Sequence, residues 1–238
     1  MKNGDCFHFK QFDVCHSNCA MKVGTDGVLL GVLAYIPASN DNELTVLDIG
    51  TGSGLISLML AQRCENAHIV GLDIDGYAVQ QAHENFLASP WHNRLTALQG
   101  DVRTWNDGKF RLIISNPPFY SSAPTMNDEA RRMARVNETL SFKELIQAAV
   151  RLLTNDGIFQ VIIPFDEVEH FRITAWQEGL FLWKQTNVKT KEIKPYKRAV
   201  LTFGRESKET VYETLCLMDS EGNRSAEYAK LTEGFYVK

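Results

Sequence analysis

The sequence has few cysteines, and their arrangement argues against a disulfide-rich or zinc-ribbon protein. The five cysteines are an odd number and form no C-x-x-C pair. They are Cys6, Cys15, Cys19, Cys64 and Cys216. Cys15, His16 and Cys19 have loose metal-ligand spacing, but no second Cys/His pair follows at zinc-finger distance. We therefore expect free, mostly buried thiols, no disulfide framework and no metal.

Long hydrophobic runs and nucleophile motifs are also absent. The longest apolar stretch, residues 28–36, contains Gly31 and has about half the length of a membrane span. Residues 1–5 lack the apolar core of a signal peptide. None of the six histidines stands beside a serine or cysteine in an elbow motif. These absences predict a cytoplasmic protein that neither contacts membranes nor carries out nucleophilic hydrolysis.

Positive charge is not in excess, since the formal net charge is −4. Basic residues nevertheless cluster, and a local cluster binds a phosphate backbone that lies within a Debye length, ~8–10 Å. The clusters are Arg131, Arg132 and Arg135, and then Lys184, Lys189, Lys191, Lys194, Lys197 and Arg198. We expect Arg135, Lys189, Lys194, Lys197 and Arg198 to bind nucleic acid. The alternative is a solvated surface.

The alternation of apolar strands with helical patterns predicts a doubly wound, Rossmann-like α/β sheet with helices on both faces. Seven strands are predicted, at residues 44–49, 68–73, 94–99, 110–115, 158–163, 180–188 and 199–205. The last two form a hairpin, and the β-prone segment 210–218 is not counted among the seven. Helices are predicted at 55–63, 77–87, from Ser141 and at 166–178. The 238 residues predict one domain: a short N-terminal strand and lid segment (1–43), a core (44–205) and an extension (206–238).

A glycine loop, DIGTGSG at residues 48–54, joins the first strand to the first helix. Dinucleotide-binding loops place glycines at positions one, three and six, whereas here the sixth place is Leu55. Glycines at alternating positions leave bare backbone beside a helix N-terminus, which suits the amino-acid moiety of S-adenosylmethionine. We therefore assign Asp48, Gly50, Gly52 and Gly54 to the cofactor site.

Acidic residues end the next two strands and complete a nucleoside pocket in this prediction. Asp73 lies about twenty residues after the loop, where a carboxylate accepts from both ribose hydroxyls. Asp75 competes for this role, but its place favours a helix cap. Asp101 is placed to accept from the adenine amino group, with the Val102 backbone N–H donating to a ring nitrogen.

The segment Asn-Pro-Pro-Phe at 116–119 follows an apolar run, and two prolines forbid a continued strand. Open α/β sheets bind ligands at such strand ends. We expect the Asn116 side-chain oxygen and the Pro117 carbonyl to accept hydrogen bonds from an exocyclic NH2, and Phe119 to stack on its plane. A loop that merely ends a strand is the alternative. Together with the glycine loop, the segment predicts a methyltransferase for a planar nitrogen.

Several segments in this order resemble the bacterial tRNA(Val) adenine-37 N6-methyltransferases. They are FHFKQF at 7–12, CAMKVGTDGVLLG at 19–31, the glycine loop, NPPF at 116–119 and Lys197-Arg198. The resemblance covers nearly the whole chain and is weakest after Gly204. It implies an S-adenosylmethionine-dependent enzyme that methylates adenine N6 in the anticodon stem-loop of tRNA. It also implies that Lys22 and Thr25 belong to a lid over the cofactor.

Other functions remain open from the sequence. Related enzymes often carry tyrosine at the last position of the NPP motif, where this chain has Phe119, and NPPF also occurs in enzymes resembling ribosomal guanine-N2 methyltransferases. A protein glutamine-N5 methyltransferase uses similar chemistry, but it has a sizeable helical domain where this chain has only residues 1–43 ahead of its first strand. A catalytically silent RNA-binding module is the non-enzymatic alternative.

Overall fold

The computed structural model describes residues 6–17, 19, 22–37, 43–118 and 140–237, and an eight-stranded sheet is its centre. The strands, in chain order, are β1 (Cys6–His8), β2 (Asp13–Cys15), β3 (Leu44–Ile49), β4 (Ala67–Asp73), β5 (Leu95–Gln99), β6 (Phe110–Ser115), β7 (Leu153–Pro164), β8 (Phe181–Lys189), β9 (Tyr196–Gly204) and β10 (Val211–Cys216). The order across the large sheet is β10-β8-β9-β7-β6-β3-β4-β5. All neighbours pair in parallel except β9, which is antiparallel to both β7 and β8.

The predicted fold class and the hairpin of β8 with β9 are confirmed, but the count of seven strands is wrong. The eighth strand is β10, which pairs in parallel with β8 at the edge of the sheet. Its first four residues are exposed, so it lacks the apolar run that marks a central strand. Strand β7 also starts earlier than predicted, at Leu153 rather than Ile158.

Helices cover both faces of the sheet, as the sequence predicts. They are α1 (Thr25–Leu33), α2 (Leu55–Arg63), α3 (Gly76–Ala88), α4 (Phe142–Leu152), α5 (Val168–Gln177) and α6 (Ala226–Thr232). One apolar core lies between the sheet and α1, α2 and α3, and the other lies between the sheet and α4 and α5. Ser141 and Glu144 form the predicted capping box at the start of α4. Of the helices that the structure describes, none is long and apolar enough to cross a membrane.

Strands β1 and β2 form a separate hairpin that covers the core. Phe9 and Phe12 are buried and stack with ring centroids 4.7 Å apart. Cys6 and Cys15 face each other across the hairpin and form a disulfide, which corrects the expectation of free thiols at these two positions. No local pattern in the sequence indicates this disulfide, because the pairing depends on the register of two three-residue strands. Cys19, Cys64 and Cys216 are free and half-buried.

Candidate active site

The glycine loop is shaped by positive φ angles and by contact with α3. Gly50 and Gly52 have φ of 70° and 56°, and no atom lies within 4 Å of where a Cβ would stand on either residue. Gly54 differs, because a Cβ there would lie 2.4 Å from the Phe86 ring. The first two glycines therefore leave bare backbone open, and Gly54 allows the loop to pack on α3.

Asp48 anchors this loop from beneath and does not line the open space. Its Oδ2 accepts hydrogen bonds from Thr51 Oγ1 at 2.8 Å and from Ser57 Oγ at 2.7 Å. Complete burial raises the pKa of Asp48 to about 6, although both hydroxyls oppose the shift. Asp48 thus ties the loop to the first turn of α2.

Asp73, at the end of β4, holds the opposite side of the loop. Its Oδ2 accepts from the Gly52 backbone N–H at 2.9 Å, and its Oδ1 accepts from the Asp75 N–H at 3.0 Å. Asp75 caps α3 by accepting from the Tyr77 N–H, so the helix-cap interpretation of Asp75 is confirmed. Asp73 is therefore preorganised against the glycine loop.

Asp101 follows β5 and is bound by its own neighbour. Arg103 donates from Nε to Oδ1 at 2.9 Å and from Nη2 to Oδ2 at 2.7 Å. This guanidinium lowers the pKa of the Asp101 carboxyl. The Val102 side chain is buried in the core on the α4 side of the sheet. The sequence interpretation overlooked Arg103, although it stands only two residues from Asp101.

Asn116 and Pro117 follow β6 at the same edge of the sheet. Ser115, the last residue of β6, donates from Oγ to the Ile49 carbonyl at 2.9 Å and so fixes the end of β6 against the end of β3. Asn116 Oδ1 is buried, yet no donor of the described residues lies within hydrogen-bonding distance of it. A buried acceptor without a donor costs about 1–3 kcal/mol, so such an atom calls for an explanation.

A cavity of about 570 Å³ brings part of the predicted site together. Its walls come from the lid segment, the glycine loop, the end of β6 and the start of β9. The predicted site residues lining it are Thr25, Gly50, Gly52, Asn116, Pro117 and Arg198. Asp48, Gly54, Asp73, Asp101 and Val102 do not line it. The cavity therefore joins the glycine loop to the Asn-Pro segment in one space.

Arg198 closes one side of this cavity instead of standing on the outer surface. Its Nε donates to Asp26 Oδ2 at 2.7 Å, across 172 residues of sequence. Asp26 lies in the first turn of α1 and also lines the cavity. The ion pair thus joins the lid segment to β9. The sequence interpretation missed this role of Asp26, although it is the neighbour of Thr25.

The lysines of the loop between β8 and β9 differ in exposure. We call residues 189–198, which run from the last residue of β8 to the third residue of β9, the basic loop. Lys189 is buried and donates from Nζ to Glu192 Oε1 at 2.6 Å, so it supports the loop from within. Lys194 and Lys197 are exposed. Phe119 and Arg135, expected to stack on the base and to bind RNA, lie outside the described residues.

A second link reaches the glycine loop from the N-terminal hairpin. Buried Asn85 of α3 donates from Nδ2 to the carbonyls of Cys15 and Ser53, at 2.8 Å each. The Cys15 N–H donates back to Asn85 Oδ1 at 3.1 Å. Asn85 was not among the predicted site residues, because nothing near it in sequence marks a helix position that bridges two loops. Within the described ranges, no group of three or more His, Cys, Asp or Glu side chains is arranged to hold a metal ion.

Comparison with known protein sequences identifies relatives of this chain. A family model described as the methyltransferase small domain matches residues 23–173. The chain is 43% identical over 236 residues to a Bacteroides fragilis protein, with 98% of each chain covered. It is 42% identical over 238 residues to a Yersinia pestis protein, covering 98% of this chain and 94% of the relative. Both relatives are named tRNA1(Val) (adenine(37)-N6)-methyltransferase.

Solved structures share the fold at low sequence identity. A predicted O-methyltransferase of Agrobacterium tumefaciens superposes with a TM-score of 0.67 at 18% identity, covering 88% of this chain and 96% of the other. The glycopeptide N-methyltransferase MtfA, solved with S-adenosyl-L-methionine, gives a TM-score of 0.55 at 12% identity, covering 78% of this chain and 100% of the other. These likenesses concern the fold alone.

Proposed function

The chain belongs to the family of tRNA1(Val) (adenine(37)-N6)-methyltransferases, and we propose that it transfers a methyl group from S-adenosylmethionine to N6 of adenine 37, beside the anticodon of tRNA(Val). We place this reaction in the cytoplasm, in one domain built from the lid segment, the core and the C-terminal extension. The observation that carries the proposal is the buried Asn116 Oδ1, an acceptor that finds no donor in the described chain.

The glycine-loop side of the cavity fits the proposed cofactor. Gly50 and Gly52 present backbone without nearby atoms, and the positive end of α2 follows them. We assign Asp73 to the ribose hydroxyls and Asp101, with the Val102 N–H, to the adenine ring. Asp48 holds the loop in shape, and Thr25 contributes from the lid. S-adenosylmethionine, when bound, supplies an electrophilic methyl group on a sulfonium.

The Asn-Pro side suits an exocyclic amine. We propose that Asn116 Oδ1 and the Pro117 carbonyl accept the two hydrogens of adenine N6, while Phe119 stacks on the ring. This pairing draws N6 toward tetrahedral geometry and exposes its lone pair. Alignment of this kind contributes ~7–11 kcal/mol in favourable cases, so no strong base is needed. The proton leaves N6 to solvent water only after positive charge has developed on the nitrogen, when it is acidic enough to need no strong base.

The proposed RNA partner is the anticodon stem-loop. The adenine of an anticodon loop is unpaired, so less energy is needed to turn it into the cavity than for a base in a duplex. Exposed Lys194 and Lys197 lie in the basic loop, and its last residue, Arg198, lines the cavity. Charge complementarity supports phosphate contacts there. We assign Arg135 to the same surface from its place in the sequence.

One experiment tests the reaction and its substrate together. The purified protein is incubated with methyl-labelled cofactor and three RNAs: tRNA(Val) transcript, the same transcript with guanine at position 37, and its isolated anticodon stem-loop. Digestion and mass spectrometry then identify the methylated nucleoside. We expect N6-methyladenosine from the first RNA and none from the second. Label in N2-methylguanosine, or in no nucleoside at all, would contradict the proposal.

A further inference from the structure

The tip of the basic loop carries an exposed apolar side chain. Ile193 is 88% exposed, the highest value of any large hydrophobic residue in the described ranges. A single exposed hydrophobic residue is common on protein surfaces and has no meaning alone. The exposure of Ile193 gains meaning from the hydrogen bonds and ring contacts that fix the loop, and from the charges along the loop.

The loop around Ile193 is braced from inside. Lys189 Nζ is bonded to Glu192 and lies 5.7 Å from the centre of the Tyr196 ring. Tyr196 in turn packs against Phe165, with ring centroids 5.0 Å apart. A backbone hydrogen bond from the Lys194 N–H to the Lys191 carbonyl closes the turn. The isoleucine is therefore presented on a fixed turn, and little ordering entropy is lost when a partner binds it.

The tip also belongs to a positively charged loop that reaches the cavity. Arg198, five residues beyond Ile193, lines the cavity that contains Asn116. An extended chain of that length spans at most about 17 Å. Along the same loop, Lys191 is half-buried, and Lys194 and Lys197 are exposed. Residues 189–198 carry five basic side chains and one acidic side chain, Glu192, which is paired with Lys189. An apolar tip on a loop of this charge matches a ligand that offers flat apolar faces and negative charge together.

Unpaired nucleotides have both features, and this inference rests on the function proposed above. We propose that Ile193 packs against the face of an unpaired anticodon-loop base next to the target adenine. In doing so it acts as an apolar wedge, while Lys191, Lys194 and Lys197 hold the adjoining phosphates. Apolar side chains that insert beside bases keep a nucleic acid in a distorted conformation, and here the wedge favours the conformation in which the target base is turned out.

The test compares Ile193→Ala with Ile173→Ala, a matched control on α5 that is 49% exposed. Binding to tRNA(Val) transcript is measured by fluorescence anisotropy over a series of salt concentrations. We expect Ile193→Ala to weaken binding roughly tenfold without changing the slope of log affinity against log salt, because the lost contact is apolar. Lys194→Ala is expected to flatten that slope by about 0.7–0.9, and Ile173→Ala to leave affinity and slope unchanged.

The results separate this inference from the proposed function. Wild-type protein that binds and methylates the transcript, with unchanged affinity in Ile193→Ala, would overturn only the wedge. Wild-type protein that binds no tRNA would overturn both. If the wild-type protein self-associates and Ile193→Asp abolishes this while RNA affinity stays intact, the tip belongs to a protein contact and the wedge is overturned. Unfolding curves for the three isoleucine variants check that the fold is retained.

Discussion

The two sides of the cavity differ in how far the chain satisfies its own polar groups. Behind the glycine-loop side, Asp48, Asp73 and Asp101 do not line the cavity themselves, but each accepts hydrogen bonds from nearby residues. Of their carboxylate oxygens, only Asp48 Oδ1, beneath the loop, has no donor among the described residues. On the Asn-Pro side, Asn116 Oδ1 has no donor in the described chain. The first side is held in shape by its own hydrogen bonds, and the second presents an acceptor that the fold does not use.

This difference indicates a division of labour. A preorganised surface binds a small ligand without losing much conformational entropy, which suits a cofactor. A buried acceptor without a donor suits a substrate amine, which brings N–H bonds of its own. The hydrogen bonds from this amine to the acceptor strengthen as positive charge develops on the nitrogen. Single substitutions should therefore impair one side of the cavity while leaving the other intact.

The largest effect is expected at Asn116. Asn116→Ala should lower kcat by about two to three orders of magnitude, because it removes a hydrogen-bond acceptor that acts on the reacting nitrogen. Cofactor affinity, measured by calorimetry, should stay the same. A folded variant with wild-type kcat would show that the base does not bind at this residue.

The charge on Asp48 should make stability depend on pH. Burial raises its pKa from 3.8 to about 6, so the folded protein binds a proton more readily than the unfolded chain. This contribution to stability is complete below pH 4 and is lost as the pH rises through about 6. Its size is ~3 kcal/mol.

Asp48→Asn should remove this dependence. Subtracting the variant's free energy of unfolding from that of the wild type, at several pH values, isolates Asp48 from the other carboxyls. The difference should change by roughly 2.4 kcal/mol between pH 4 and pH 7, because part of the full contribution is already lost at pH 4. If the difference in free energy of unfolding does not change across that interval, the pKa of Asp48 is not raised in the folded protein.

At Asp73 the expected loss is one of cofactor affinity. Asp73→Ala should weaken cofactor binding by about one to two orders of magnitude, since charge-assisted hydrogen bonds contribute ~1.5–3 kcal/mol. Asp75→Ala is the matched control: it removes the cap of α3 and should cost ~1 kcal/mol of stability with cofactor affinity retained. Equal losses of affinity in both variants would remove the special role of Asp73.

The smallest effects are expected in the basic loop. Exchanging Lys194 and Lys197 together for alanine should flatten the salt dependence of tRNA binding by about 1.4–1.8, with cofactor affinity unchanged. Arg198→Ala should behave differently and weaken cofactor binding a few-fold, because its partner Asp26 belongs to the lid segment. Unchanged cofactor affinity in Arg198→Ala would mean that the ion pair does not hold the lid.

The sequence predicted elements whose signals are local. The bounds of β3, α2 and β6 are as predicted, because each has a continuous apolar run or a helical repeat between clear turn residues. Helix α1 was not predicted from the sequence. Six consecutive residues, 27–32, are buried, so the helix lacks the alternation of polar and apolar faces by which a helical period is recognised.

The parts of the site that the sequence predicted also have local signals. The glycine loop and the Asn-Pro segment carry their chemistry in adjacent residues, and they meet in one cavity. The Arg198–Asp26 pair and the parallel edge strand β10 join residues that are distant in sequence. No local pattern encodes such pairings, because they form only when separate elements pack together.

The division of labour is tested most directly by single-turnover methylation of tRNA(Val) at increasing cofactor concentration, with Asp73→Ala and Asn116→Ala side by side. Asp73→Ala should approach the wild-type rate once cofactor saturates, because only binding is impaired. Asn116→Ala should stay about two to three orders of magnitude slower at every concentration. Recovery of Asn116→Ala at high cofactor, or a persistent defect in Asp73→Ala, would contradict the account.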